Sequence, residues 1–160
     1  MQHHLVIIRP HYLELLLAGK KRVECRLSKM RRAPYEAVDP GDLLWLKLPS
    51  GPVRAVAVAG HCRFDSLEAP GDLRALTDPH ADVIRADPEF FRDAETWARY
   101  LSLIWIDRVV SIDPLRVNKS DPRSWVVLAG PPTPNMNVDA STTSGEAPRR
   151  PAAFRVTHEG

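Results

Sequence analysis

The chain has 160 residues, 44% hydrophobic and 26% charged, with a formal net charge of +2. That length suits one domain with a tail, and the apolar fraction can build a core, which excludes a wholly disordered chain. No apolar run approaches the ~20 residues of a membrane span, and the N-terminal apolar run is too short for a signal peptide, so a cytoplasmic setting is expected.

HLVIIR, residues 4–9, reads as a first strand that Pro10 stops. The following stretch is helical in content, with Pro10 placed for a first turn and Gly19 for a left-handed stop. RVECRL alternates, with Val23, Cys25 and Leu27 on one face and Arg22, Glu24 and Arg26 on the other. That pattern predicts a half-buried strand with a polar face. Residues 28–42 form a long connection ending in Asp39-Pro40-Gly41-Asp42, a turn sequence. LLWLKL and PVRAVAVAGHCRF follow as strands joined at Pro49-Ser50-Gly51.

Residues 65–100 are helical in parts, broken at Pro70-Gly71, Pro79 and Pro88. The best helix there is PEFFRDAETWARY, with Asp87 as its N-cap. LSLIWIDRVVSIDPLRV and SWVVLAG close the domain as strands. From Pro131 the composition loses its large apolar residues, so residues 131–160 are expected to be a disordered tail to a domain of residues 1–130. The elements together predict an α+β fold, a small and mostly antiparallel β-barrel with flanking helices.

Charge is unevenly placed. Residues 1–35 hold eight lysines and arginines against two glutamates, whereas residues 65–96 hold nine acids against three arginines. A directional field of this kind favours a nucleic acid or phosphorylated ligand near the N-terminal half. An internal match between the two regions is the plainer explanation. Cys25 and Cys62 lack C-x-x-C spacing and the six histidines are scattered, so neither a metal site nor a disulfide framework is expected. No P-loop, dinucleotide glycine pattern or Gly-x-Ser-x-Gly elbow occurs, and no cofactor is implied.

The densest cluster is GKKRVECR, where Lys20, Lys21, Arg22 and Arg26 crowd around Glu24. It fits the pattern Gly-x-Lys-x-x-Glu-x-Arg through Gly19, Lys21, Glu24 and Arg26. That pattern resembles the signature of ASCH domains, which have a PUA-like fold. The order of strand, Arg9-Pro10, helix, motif and Pro40-Gly41-Asp42 turn is similar too, as are YLSLIWIDRV and SWVVL. The resemblance spans about residues 3–129 and implies binding of RNA, or of nucleic acid more broadly, in a cleft beside the barrel. Some small members resemble hydrolases of acylated cytidine nucleosides. In those members threonine, the proposed nucleophile, stands where this chain has Glu24. A carboxylate can act as a base or orient a water, but it is no simple substitute for a hydroxyl nucleophile. Glu68 lies in the region of the hydrolases' further glutamate without a firm match.

Each residue of the cluster has a chemical role open to it. Lys21 can contact a phosphate or polarise a carbonyl. Glu24 and Arg26, two apart on one strand face, can pair and orient the guanidinium fork. As an exposed pair they would contribute only ~0.2–1 kcal/mol, so stability alone is a weak reason for them. Glu24 can instead accept from an exocyclic amine. Arg9, Lys29, Arg31 and Arg32 are candidates for a phosphate backbone, and Lys119 and Arg123 for an extension of the basic surface. Tyr35, Trp105 and Trp125 are candidate stacking planes, with Trp105 preferred, while Trp45 and Trp97 are assigned to packing. The leading expectation is a nucleic-acid-binding module, with RNA or DNA as partner. Its alternatives are an amidohydrolase acting on a modified nucleoside or a ribonuclease, with Lys21 and Glu24 as catalytic residues, and an adaptor that meets a protein through residues 65–96.

Overall fold

Alternation within the first strand divides the interior. β1 (His3–Ile7) buries His4 and Val6 toward one side and Leu5 toward the other, and each side joins a different cluster. The computed structural model describes residues 1–140. After β1 come α1 (Pro10–Leu17), β2 (Val23–Ser28), β3 (Leu43–Lys47) and β4 (Val53–Ser66). Then α2 (Asp72–Thr77), a 3-10 turn (Asp78–His80), α3 (Ala81–Ile84) and α4 (Pro88–Ala94) lead to β5 (Tyr100–Leu115), β6 (Asn118–Lys119), β7 (Trp125–Leu128) and β8 (Asn137–Val138). No helix among the described residues is long and apolar enough to cross a membrane.

The main sheet has the order β2-β5-β4-β3-β1-β7, antiparallel except between β1 and β3. Register shifts along β4 and β5, near Val53, Val58 and Ala59, bend these long strands, as bulges do. The sheet curls until its two edges approach each other. Arg26 on β2 donates through Nη2 to the Ile7 carbonyl (2.8 Å), and its guanidinium lies 5.4 Å from the Trp125 ring on β7. The expected α+β, mostly antiparallel barrel is thus a six-stranded half-barrel whose edges are bridged by a side chain.

Three clusters fill it. Leu13 and Leu16 of α1 pack inside the curl with Val6, Leu44, Ile104 and Trp125, where Ala55, Ala57 and Ala59 keep the β4 wall low. Helices α2–α4 cover the outer face of β2 and β5 through Leu73, Ile84, Phe91 and Ala94. The third cluster, Leu5, Val53, Val126, Leu128 and Val138, lies under the β6–β8 ladder.

Some boundaries differ from the expected ones. The helix beginning at Pro88 ends at Ala94, because the Thr96 hydroxyl and N–H both take the Asp93 carbonyl and tighten the chain into a turn. Trp97 is left 40% exposed in that turn and is not a packing residue. Asp87 stands at the N-cap as expected but makes no side-chain capping bond; its carboxylate accepts from the Tyr12 hydroxyl instead (3.2 Å). Past residue 130, Val138 pairs with Lys119 in the β6–β8 ladder and is only 1% exposed. Apolar content alone hides this, because the contacts come from only a few residues, Pro132, Met136 and Val138, among polar neighbours. Residues 141–160 of the expected tail lie outside the described residues.

His4 ties β1 to β7 and to the turn that leads into β3. The indole of Trp125 can only donate, so His4 Nδ1 accepts from it (3.0 Å) and Nε2 donates to Asp42 Oδ2 (2.9 Å). Burial pushes the His4 pKa below its usual 6.5, outweighing the pull of Asp42. Burial pushes Asp42 the other way, but N–H groups of Asp39 and Gln2 together with His4 hold it below the usual 3.8. A folded-state pKa below the unfolded one means that the unfolded chain takes up the proton first. Stability is therefore full above about pH 6.5 and falls as acid is added, first through His4 and then, below about pH 4, through Asp42, with at most ~1.4 kcal/mol per pH unit per proton. The urea midpoint should fall between pH 7.5 and 5.5, and His4→Gln should start lower but show a flatter dependence in that window. Equal pH slopes for the two proteins would show that His4 does not carry the effect.

Candidate nucleic-acid interface

The motif begins at a helix end whose geometry is fixed by glycine. Gly19 has φ +72°, a conformation that costs other residues strain. Around it, Lys20 N–H donates to the Leu15 carbonyl (3.0 Å) and Gly19 N–H to that of Leu16 (3.1 Å), the paired bonds of a Schellman stop. Lys21 N–H also reaches the Leu15 carbonyl (3.0 Å), so the chain doubles back along α1 before it enters β2.

That reversal turns Lys21 inward. It is 4% exposed, its ammonium donates to the Ile84 carbonyl and it sits 5.2 Å from the Tyr12 ring centroid. Ile84 ends α3, whose last carbonyls lack partners within the helix, so Lys21 closes that helix end. Tyr12 in turn bonds Asp87 just before α4 (3.2 Å), and burial raises the pKa of its phenol. The basic motif and the acidic helical region therefore meet inside one molecule.

Glu24 and Arg26 point into the curl and are also covered, at 10% and 18% side-chain exposure. Glu24 Oε1 accepts from Arg26 Nε (3.0 Å), while Oε2 is buried and meets no donor among the described residues. The polar face expected to be solvated is thus a second buried face. Its Arg26 has a fixed orientation, and its Glu24 carries an unfilled acceptor.

The other candidates divide between rim, core and the opposite face. Arg9, Lys29, Arg31 and Arg32 are exposed, and Arg9 precedes α1 two residues beyond the Ile7 carbonyl that Arg26 holds. Arg31 lies 5.6 Å from the Tyr35 ring and 5.8 Å from that of Tyr100. Tyr35 is 8% exposed and packs on Tyr100 (4.9 Å) and Phe64 (5.8 Å), so its ring is taken up by protein contacts. Trp105 lies on the other face of the sheet from Glu24 and Arg26. It pairs with Val23, shares the helix-covered face and packs between His61 (5.1 Å) and His80 (5.0 Å). Trp125, 2% exposed, lies beneath Arg26 in the core. Cys25 faces the helices as well, and burial pushes its thiol up to about 12, which keeps it protonated and inert.

Sequence reasoning missed Tyr12 and Ile84. Tyr12 had a signal in its place on the first turn of α1, but its contact with Lys21 exists only because the Schellman stop folds the chain back. Ile84 contributes a backbone carbonyl, which no side-chain pattern announces.

Compared with known proteins, the chain matches no family model and no curated sequence. Solved structures do match. The ASCH protein of Zymomonas mobilis aligns with a TM-score of 0.61 and 17% identity, over 79% of this chain and 87% of that one. A Tyr-to-Phe variant of that protein, ZmASCH, aligns with a TM-score of 0.63 and 17% identity over 80% and 91%. A Ser-to-Ala variant gives 0.62 and 16% over 79% and 87%. The fold is that of an ASCH domain. On this ASCH scaffold, Lys21 lies against α1 and the end of α3, and Glu24 and Arg26 lie inside the curl beside the strand edges that Arg26 joins. At 16–17% identity the likeness carries the fold and not the activity.

Proposed function

We propose that this ASCH-fold protein binds nucleic acid, RNA foremost, with bases entering the mouth beside Glu24 and Arg26 and the backbone crossing the cationic rim. The observation that carries this reading is Glu24 Oε2, a buried acceptor with no donor of its own. An unfilled buried acceptor costs ~1–3 kcal/mol, which a ligand N–H would recover. Exocyclic amines of nucleobases are such donors. Arg9, Lys29, Arg31 and Arg32 are exposed, and such cations suit the phosphates that accompany the bases.

The test uses labelled single- and double-stranded RNA and DNA at low and moderate salt. Lys21→Ala is a poor probe, because a side chain that closes α3 affects folding as well as binding. The exposed rim is the cleaner target. Lys29→Ala, Arg31→Ala and Arg32→Ala combined should leave the fold intact and weaken binding at least tenfold at low salt. The slope of log affinity against log salt should drop by about 2, at ~0.7 for each single-strand phosphate that a removed cation had neutralised. Absence of wild-type binding to every probe at low salt overturns the reading, and acyl-cytidine hydrolysis is then the assay to run.

A further inference from the structure

Away from the motif, cations gather where β3 and β5 end and β7 begins. Ile7, Lys47, Val53 and Leu115 form one row across β1, β3, β4 and β5. Arg116 follows that row directly, and the Ser124 carbonyl, next to Arg123, accepts from Ile7 N–H (2.9 Å). Lys47 lies on the outer face. It is 6% exposed, donates to the Leu48 carbonyl (3.0 Å) and has no carboxylate partner among the described residues. Burial lowers its pKa, and Lys119 and Arg116 lower it further by their charge, which places all three in one electrostatic neighbourhood.

Beside them the β6–β8 ladder forms an open crevice of about 290 Å³, lined by Asn118, Lys119, Ser120, Asn137 and Asp139. Asp121 is buried and gripped at two points by Arg123 (3.0 and 2.6 Å). Among the described residues, Lys47, Arg116, Arg123 and Lys119, whose ammonium also donates to the Asp121 carbonyl, gather here with the carboxylates of Asp121 and Asp139. A buried ammonium without a counter-ion costs desolvation energy that stability does not explain. An incoming anion would offset it.

We propose that this crevice is a second phosphate site, taking a backbone phosphate of a strand already engaged at the motif. Lys119 and Arg116 would meet the phosphate oxygens, the Ser120 hydroxyl would donate to them, and Lys47 would supply charge from beneath. The route is short in structural terms. The end of β1 has Arg26 bound to its Ile7 carbonyl on one side, Lys47 and the approach to β7 on the other, and exposed Arg9 beyond. The proposal rests on the nucleic-acid reading above, and the experiment separates the two.

Single-stranded RNAs of about four and about twelve nucleotides span the site sizes of single-strand binders. Wild-type protein is expected to bind the longer strand at least tenfold more tightly. Lys47→Met with Lys119→Gln should erase that gain, leave the short strand unaffected and lower the salt slope for the long strand by about 0.7 for each phosphate left without its cation. An unchanged long-strand affinity overturns the crevice and leaves the motif cleft standing. The unfolding midpoint of the double variant should hold or rise; a fall would mark Lys47 as structural and overturn the proposal. Failure of the wild type to bind either strand overturns the nucleic-acid reading. Inorganic phosphate followed by amide chemical shifts then decides the crevice alone, with shifts at Lys119 and Ser120 keeping it as a free-anion site and their absence removing it.

Discussion

Arg26→Met should destabilise the protein by about 3–5 kcal/mol, the range for stranding one partner of a buried ion pair. The substitution leaves Glu24 charged and covered, removes the donor to the Ile7 carbonyl and uncovers the face of Trp125. It also cuts the side-chain bridge between the two sheet edges. Arg26→Lys should recover part of the loss, because one ammonium cannot reach both Glu24 and Ile7 as the guanidinium fork does. Pairing Arg26→Met with Glu24→Gln should recover more, since a neutral amide is cheaper to bury than a carboxylate. Urea denaturation of the four proteins measures this. A loss below about 1 kcal/mol for Arg26→Met would place the pair with ordinary surface ion pairs, and the edge-bridging role would fall.

Glu24→Gln should have its main effect on binding. The amide keeps the shape of the side chain and an oxygen for Arg26, so the fold should suffer far less than in Arg26→Met. At Oε2, however, the charged acceptor is lost. A hydrogen bond to a charged group contributes ~1.5–3 kcal/mol, so affinity should fall by about ten- to a hundredfold. Cytosine and adenine, two of the bases with an exocyclic amine, should be preferred over uracil by the wild type, and the variant should lose that preference. Equal wild-type affinity for all three would sink the assignment of Oε2 to a base amine, while leaving the rim contacts to be judged by their salt dependence.

Local physics was legible in the residues. Pro10 and Gly19 bound α1 because one lacks an N–H the first turn does not use and the other tolerates a positive φ. Alternation from Arg22 to Leu27 identified β2 and its two faces, and the Gly-x-Lys-x-x-Glu-x-Arg spacing pointed to the scaffold that the structure has. Burial was decided elsewhere. A strand whose polar residues alternate reads as half-solvated, yet curling of the sheet brought Trp125 and the end of β1 over the face that carries Glu24 and Arg26.

The same holds for the aromatic candidates. Trp105 stands on the face opposite Glu24 and Arg26 by parity, since it pairs with Val23. Only register supplies that fact, and register depends on which strands meet. Composition and spacing thus determined most of the elements, the excess of cations in residues 1–35 and the fold class, because those rest on residue content, backbone preference and period. The unfilled acceptor of Glu24, the closure of α3 by Lys21 and the cation row at Lys47 were decided by the tertiary structure, because each depends on groups far apart in the chain being excluded from water together.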